Sequence, residues 1–212
     1  MPTAREPTAA LTLERRGDEV VATVADRRYR VRGLAKNLSP DALRVNLLAQ
    51  RGEAVHVETL GNTTMGKPLF AAIISTPENI QRREEIFAAQ RKLADPRILK
   101  SADEAALYAR QPAVLVIQCN IHADEIASSQ MAMELAYRLA TIDTLQAELR
   151  NAVVILIPSV NPDGEQMVVE WYRAQLGTRW EGVDRPFIDN MYSGHDDNRD
   201  WFMMTQVETR LG

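Results

Sequence analysis

A chain of 212 residues, 45% hydrophobic and 25% charged, has the length and make-up of one medium globular domain with a small appendage. Its net charge of −4 gives no overall electrostatic reason to bind nucleic acid or an acidic membrane, and a single cysteine, Cys119, excludes a disulfide framework within one chain. The opening residues Met1 to Pro7 are polar and no long apolar run follows, so no signal peptide and no transmembrane helix are expected. As written the protein is expected in the cytoplasm, or exported if its true N-terminus differs.

Residues 1–10 read as disordered. Residues 11–32 alternate around Val20, Val21, Thr23, Val24, Tyr29 and Val31, which suggests a small β-hairpin turning near Ala25 to Arg28. Ser39 and Pro40 make a good N-cap and first helical position, for a helix running to about Gln50. Together these form a small α+β segment, residues 1–54. Arg15, Arg16, Arg27, Arg28, Arg30 and Arg32 make it locally basic, but few aromatics accompany the charge, so a solvated hairpin face is expected and nucleic-acid binding is the lesser reading. Residues 14–59 are similar to a segment of bacterial DNA-primase-type proteins. They carry no zinc-finger cysteines and no acidic catalytic cluster, so no primase activity follows.

The texture changes at Val55. Val55 to Leu60 and Leu69 to Ser75 read as strands around a polar turn, the antiparallel edge of a mixed sheet. Thr76-Pro77-Glu78 opens a helix through about Leu93, with Ile80, Ile86, Phe87, Gln90 and Leu93 along it; a shorter helix follows from Asp103 to Arg110. Ala113 to Cys119 is an apolar, β-branched run that reads as a fully buried central strand, with Cys119 a core thiol. Ile126 to Leu139 has helical period, with Ala127, Met131, Met133, Leu135 and Leu139 on or near the buried face, and Ala152 to Val160 is the next buried strand. Asn161-Pro162-Asp163-Gly164 reads as a turn, and residues 165–197 as a long excursion with little regular structure. The fold class is α/β: a mixed, mostly parallel sheet flanked by helices, in residues 55–212.

His122 and Glu125 follow the strand at its carboxyl end, where open α/β sheets place ligands. Imidazole and carboxylate are both good zinc donors, and a catalytic zinc takes three protein ligands plus water. The plainer reading is a solvated helix start with Asp124 and Glu125 favoured by the dipole. On the motif alone the two readings stand level.

Four stretches together resemble the zinc carboxypeptidase family, the carboxypeptidase A-like peptidases: Leu60 to Leu69, with Lys67 where the family has arginine; Ile121 to Glu125; Pro158 to Gly164; and Asp197 to Phe202. The resemblance covers roughly residues 55–212 and implies a zinc-dependent enzyme that hydrolyses the C-terminal bond of a peptide or protein. It implies that His122 and Glu125 hold Zn2+, that Asn198 and Arg199 bind the substrate's terminal carboxylate, and that Arg179, with Arg173 as competitor, polarises the scissile carbonyl. The family's second zinc histidine, general-base glutamate and substrate tyrosine come later than Arg199, and neither His56 nor His195 stands at the histidine's place. The chain therefore reads as the N-terminal part of a carboxypeptidase domain, inactive by itself. A zinc-dependent deacylase or amidase of the same fold is the nearest alternative. No oligomeric state follows from the sequence.

Overall fold

The structure is a computed structural model that describes residues 11–16, 19–24, 27–31, 53–95, 97, 101–187 and 189–212; the expected helix from Ser39 and the first ten residues lie outside them. The described residues fall into two compact units, divided after Leu38. The first is a three-stranded antiparallel sheet, β1 (Leu11–Arg16), β2 (Glu19–Val24) and β3 (Arg27–Val31), in that order. The expected hairpin is thus a meander. β2 pairs with β3 in the expected antiparallel way, and β1 pairs antiparallel with β2 as well.

The second unit is built on an open sheet of four strands, β4 (Val55–Asn62), β5 (Pro68–Ile74), β6 (Ala113–Gln118) and β7 (Ala152–Ile157), in spatial order β4-β5-β7-β6. β4 and β5 are antiparallel, β5 is antiparallel to β7, and β6 runs parallel to β7. A parallel pair needs a long crossover. Here that crossover is α4 (Ile126–Thr141), α5 (Asp143–Glu148) and a 3-10 turn. Among the described residues, three helices precede it: α1 (Pro77–Gln81), capped by the Thr76 hydroxyl, α2 (Arg83–Ala94) and α3 (Ser101–Tyr108). The single helix expected from Thr76 is divided at Arg82.

The core lies on both faces of the sheet. On one, Ala72, Ile74, Val154 and Leu156 pack with Ala132, Met133 and Ala136 of α4; on the other, Ile73 and Val153 pack with Ile80 and Ile86 of α1 and α2. The buried stripe of α4 is Ser129, Ala132, Met133 and Ala136, so the expected face is rotated, and Met131 is exposed. Cys119 is buried, which pushes its thiol up and suits the inert role expected.

Two expectations are corrected. Among the described residues β6 is not a central buried strand: it stands outermost of the four, and Leu115 and Val116 are exposed. An apolar run shows that a strand is apolar, not where it stands in the sheet. Residues 165–197 are not all irregular, because Asn-Pro-Asp-Gly starts the helix α6 (Pro162–Gln175). Asn161 is its N-cap, accepting the Gly164 N–H at 2.9 Å, and Pro162 fits the first position, where no N–H is needed.

Candidate metal centre and its surroundings

The parallel register brings the carboxyl ends of β6 and β7, Gln118 and Ile157, to one edge of the sheet. The loops that follow carry both His122 and Asn161, as the sequence implied. Asn120 starts the first loop in the left-handed region, at φ 54°. Asparagine tolerates that conformation through local hydrogen bonds. Its side chain donates to His122 O at 3.0 Å and accepts from the Ser159 hydroxyl at 2.8 Å, while its N–H donates to Ser128 Oγ. The loop's shape is therefore fixed by both neighbouring elements.

Asn161 fastens the other side. It is fully buried, and its amide donates to Asp189 O at 3.1 Å and towards Ile121 O at 3.4 Å. Gly164 is required next to it, since a Cβ there would stand 2.0 Å from Asp189 O. Gly164→Ala should cost about 1–3 kcal/mol or more of stability in a denaturant titration, because the obstacle is backbone.

In the loop so held, His122 Nδ1 and Glu125 Oε1 meet at 2.8 Å. Glu125 stands at the N-cap of α4 without capping it, so its carboxylate is turned to the imidazole instead. On the far side of the ring, His122 Nε2 lies 3.8 Å from Asp196 Oδ2. Asp196 caps the short helix α7 (Asp197–Asp200), accepting the Arg199 N–H at 2.9 Å, and its carboxylate also pairs with the Arg199 guanidinium. One carboxylate thus joins the imidazole to the arginine. Sequence reasoning missed Asp196; the signal available was an acidic residue three positions before Arg199, at a helix start. Asn198 is exposed on the same turn.

The hydrogen bond to Glu125, with the charges of Glu125, Asp196 and Asp189, holds the His122 imidazole above its ordinary 6.5 against the smaller opposing effect of burial. An NMR titration should show this, and Glu125→Gln should bring the value down.

The remaining candidates have other neighbours. Arg179 lies with its guanidinium 4.3 Å from the Trp180 ring, and Arg173 is in the last turn of α6. The arginine beside the His122 loop is Arg185, 3.5 Å from Asp124. His195 hydrogen-bonds Ser193 and, through Nε2, Asp200 at 3.0 Å. Burial pushes the Asp200 carboxyl up, but hydrogen bonds from Thr205, Gln206 and His195 prevail and hold it well below the usual range.

Below the loops is a buried polar cluster that the sequence did not reveal. Asp163 accepts from the Thr63 hydroxyl, the Met65 N–H, the Lys67 ammonium at 2.9 Å and the Tyr192 hydroxyl. Glu208, in α8 (Val207–Leu211), accepts from Thr64 and from the same Tyr192 hydroxyl. Burial and these two carboxylates keep the Tyr192 phenol protonated, so it remains a donor. Gly66, at φ 79°, closes the Thr63 to Lys67 turn that carries these donors.

The donors His122 and Glu125 fit zinc in chemical kind and converge on one point. Among the described residues, however, no three His, Cys, Asp or Glu side chains group as a metal site, and the set stops at two.

A sequence model of the family described as zinc carboxypeptidase matches residues 42–209. Curated proteins give no match. Solved structures that align include carboxypeptidase A from Helicoverpa armigera (18% identity, 76% of this chain and 30% of that one, TM-score 0.45). A metallo-carboxypeptidase from Burkholderia cenocepacia aligns at 16% identity over 73% of this chain and 35% of that one, with TM-score 0.41. The chain spans about a third of the length of these structures. With the family model spanning most of its length, the chain belongs to the zinc carboxypeptidase family.

Proposed function

We propose that this chain carries the metal-holding and carboxylate-recognising part of a metallocarboxypeptidase site, and that it does not turn over substrate by itself. The observation behind this is the connected group His122, Glu125, Asp196 and Arg199. Zinc held by His122 and Glu125 would supply Lewis acidity and an acidified water. Asp196 orients the imidazole from behind, as carboxylates beside metal-bound histidines do, and holds Arg199 at the same time. The exposed Arg199 and Asn198 would then take a free C-terminal carboxylate, for which the planar guanidinium is suited. With two donors among the described residues, and no further histidine grouped with them, the water has neither a complete metal site nor an assigned base.

The test offers the zinc-supplemented chain a peptide with a free C-terminus, the same peptide as its C-terminal amide, and an N-acyl amino acid. No turnover is expected, with binding of the free acid over the amide, and with that preference lost in Arg199→Ala. Turnover of the N-acyl amino acid alone would favour a deacylase. Equal binding of acid and amide would contradict carboxylate recognition.

A further inference from the structure

The turn that presents His122 and Glu125 is closed by the Glu125 N–H, which donates to His122 O at 3.1 Å. The two metal donors are its ends, and Ala123 and Asp124 are its middle. One hydrogen bond closes a turn but does not fix how the turn sits on the fold. Both middle residues are held from a single segment, residues 185–190. Ala123 is fully buried, and a buried N–H requires an acceptor. It meets the carboxylate of Asp189, which is itself 7% exposed. Asp124 reaches outward, and its carboxylate pairs with the Arg185 guanidinium at 3.5 Å.

The segment is anchored from below as well. Asp189 O accepts the Asn161 amide at 3.1 Å, and the same nitrogen lies 3.4 Å from Ile121 O, next to His122. Asp189 O also rests against Gly164. The buried Asn190 donates to Gln206 and accepts the N–H groups of Tyr192 and Ser193. Asp189 is thus fixed by its backbone, and its side chain is what reaches the metal turn. Burial pushes its carboxyl up, while the Ala123 N–H, His122 and Arg185 act the other way. An acid is a costly choice at this depth for a side chain that only fills space.

We infer that Asp189 is a positioning residue for the metal site: its carboxylate, through the Ala123 N–H, sets the orientation at which His122 and Glu125 converge. This rests on the reading of that pair as the zinc donors. Carboxylates that support a metal-bound histidine commonly act on its ring, the place that Asp196 takes beside His122. Asp189 acts one step further back, on the peptide between the two donors, and so on both at once.

The test compares the full chain with Asp189→Ala and Asp189→Asn, with Asp189→Leu in reserve should the alanine variant not fold. Asparagine keeps an oxygen that accepts the Ala123 N–H and removes only the charge. Three quantities are read: the urea midpoint, hydrogen exchange of the Ala123 amide in metal-free protein, and zinc affinity by competition with a chromophoric chelator. Ala123 should exchange about tenfold faster in Asp189→Ala and close to the wild-type rate in Asp189→Asn. Zinc should bind about tenfold or more weakly in Asp189→Ala and within about threefold of the wild type in Asp189→Asn. Unchanged Ala123 exchange in Asp189→Ala would overturn the inference whether or not zinc binds. So would faster exchange with zinc affinity intact, and so would an equal zinc loss in both variants, which would trace the effect to charge alone. A wild-type chain that binds no zinc would contradict the donor reading instead, and there the Ala123 exchange alone decides whether Asp189 sets the turn.

Discussion

Asp163→Ala should lower the unfolding free energy by about 3–5 kcal/mol, the cost of breaking a buried pair from one side. Asp163 is 2% exposed and receives four donors, and Lys67, only 15% exposed in its side chain, is left with its charge uncompensated. Its partners come from the turn before β5 and from the segment before α7, while Asp163 itself opens α6. One substitution therefore loosens three loops. Adding Lys67→Met to Asp163→Ala should recover part of the loss, since the unpaired ammonium is removed with its partner. Urea titrations of the four proteins make the cycle. A loss below about 1 kcal/mol for Asp163→Ala, the range of exposed pairs, would mean that water replaces the carboxylate easily and that the cluster does not hold the loops.

The second large effect is in pH. Burial, followed by the charges of Glu208, Asp189, Asp196 and Asp200, pushes the Asp197 carboxyl up to about 7 from an ordinary 3.8. The sign follows from proton counting. Between those values the folded chain binds more protons than the unfolded one, so stability must fall as pH rises through the window. Asp197→Asn should flatten this slope and leave the variant more stable than the wild type at pH 8. His122, also raised, acts in the same direction at the upper end, whereas Asp200, held low, loses its contribution only on acidification below the usual carboxylate range. Wild-type stability that climbs between pH 4 and pH 7, or a slope unchanged in Asp197→Asn, would contradict the burial of an unpartnered carboxylate.

The legible parts of the sequence were those set by local chemistry. Thr76 before Pro77 announced a capped helix. The apolar run Ala152 to Ile157 announced a buried strand, and the parallel partners β6 and β7 put His122 and Asn161 on one edge. What escaped depends on order in space. Ala113–Gln118 is as apolar as β7, yet among the described strands it stands outermost, and strand order leaves no mark on a single strand's composition. Asn161 to Gly164 has the same residues whether it makes a turn or a helix start. The contact between Asp189 O and Gly164 decides why glycine is needed there. Lys67 and Asp163 are 96 residues apart, and their pairing could be read from neither motif. Asp196 was hidden between a histidine and a second aspartate; its cap on α7, its pairing with Arg199 and its 3.8 Å approach to His122 set it apart from Asp197, which points into the interior.

Zinc binding by the purified chain, with His122→Ala beside it, tests the central claim most directly. The two-donor site predicts weak zinc binding that His122→Ala abolishes. Tight, stoichiometric zinc lost in His122→Ala would contradict the two-donor site by showing that a third ligand completes it, and tight zinc that survives the substitution would place the metal away from His122 and Glu125 altogether.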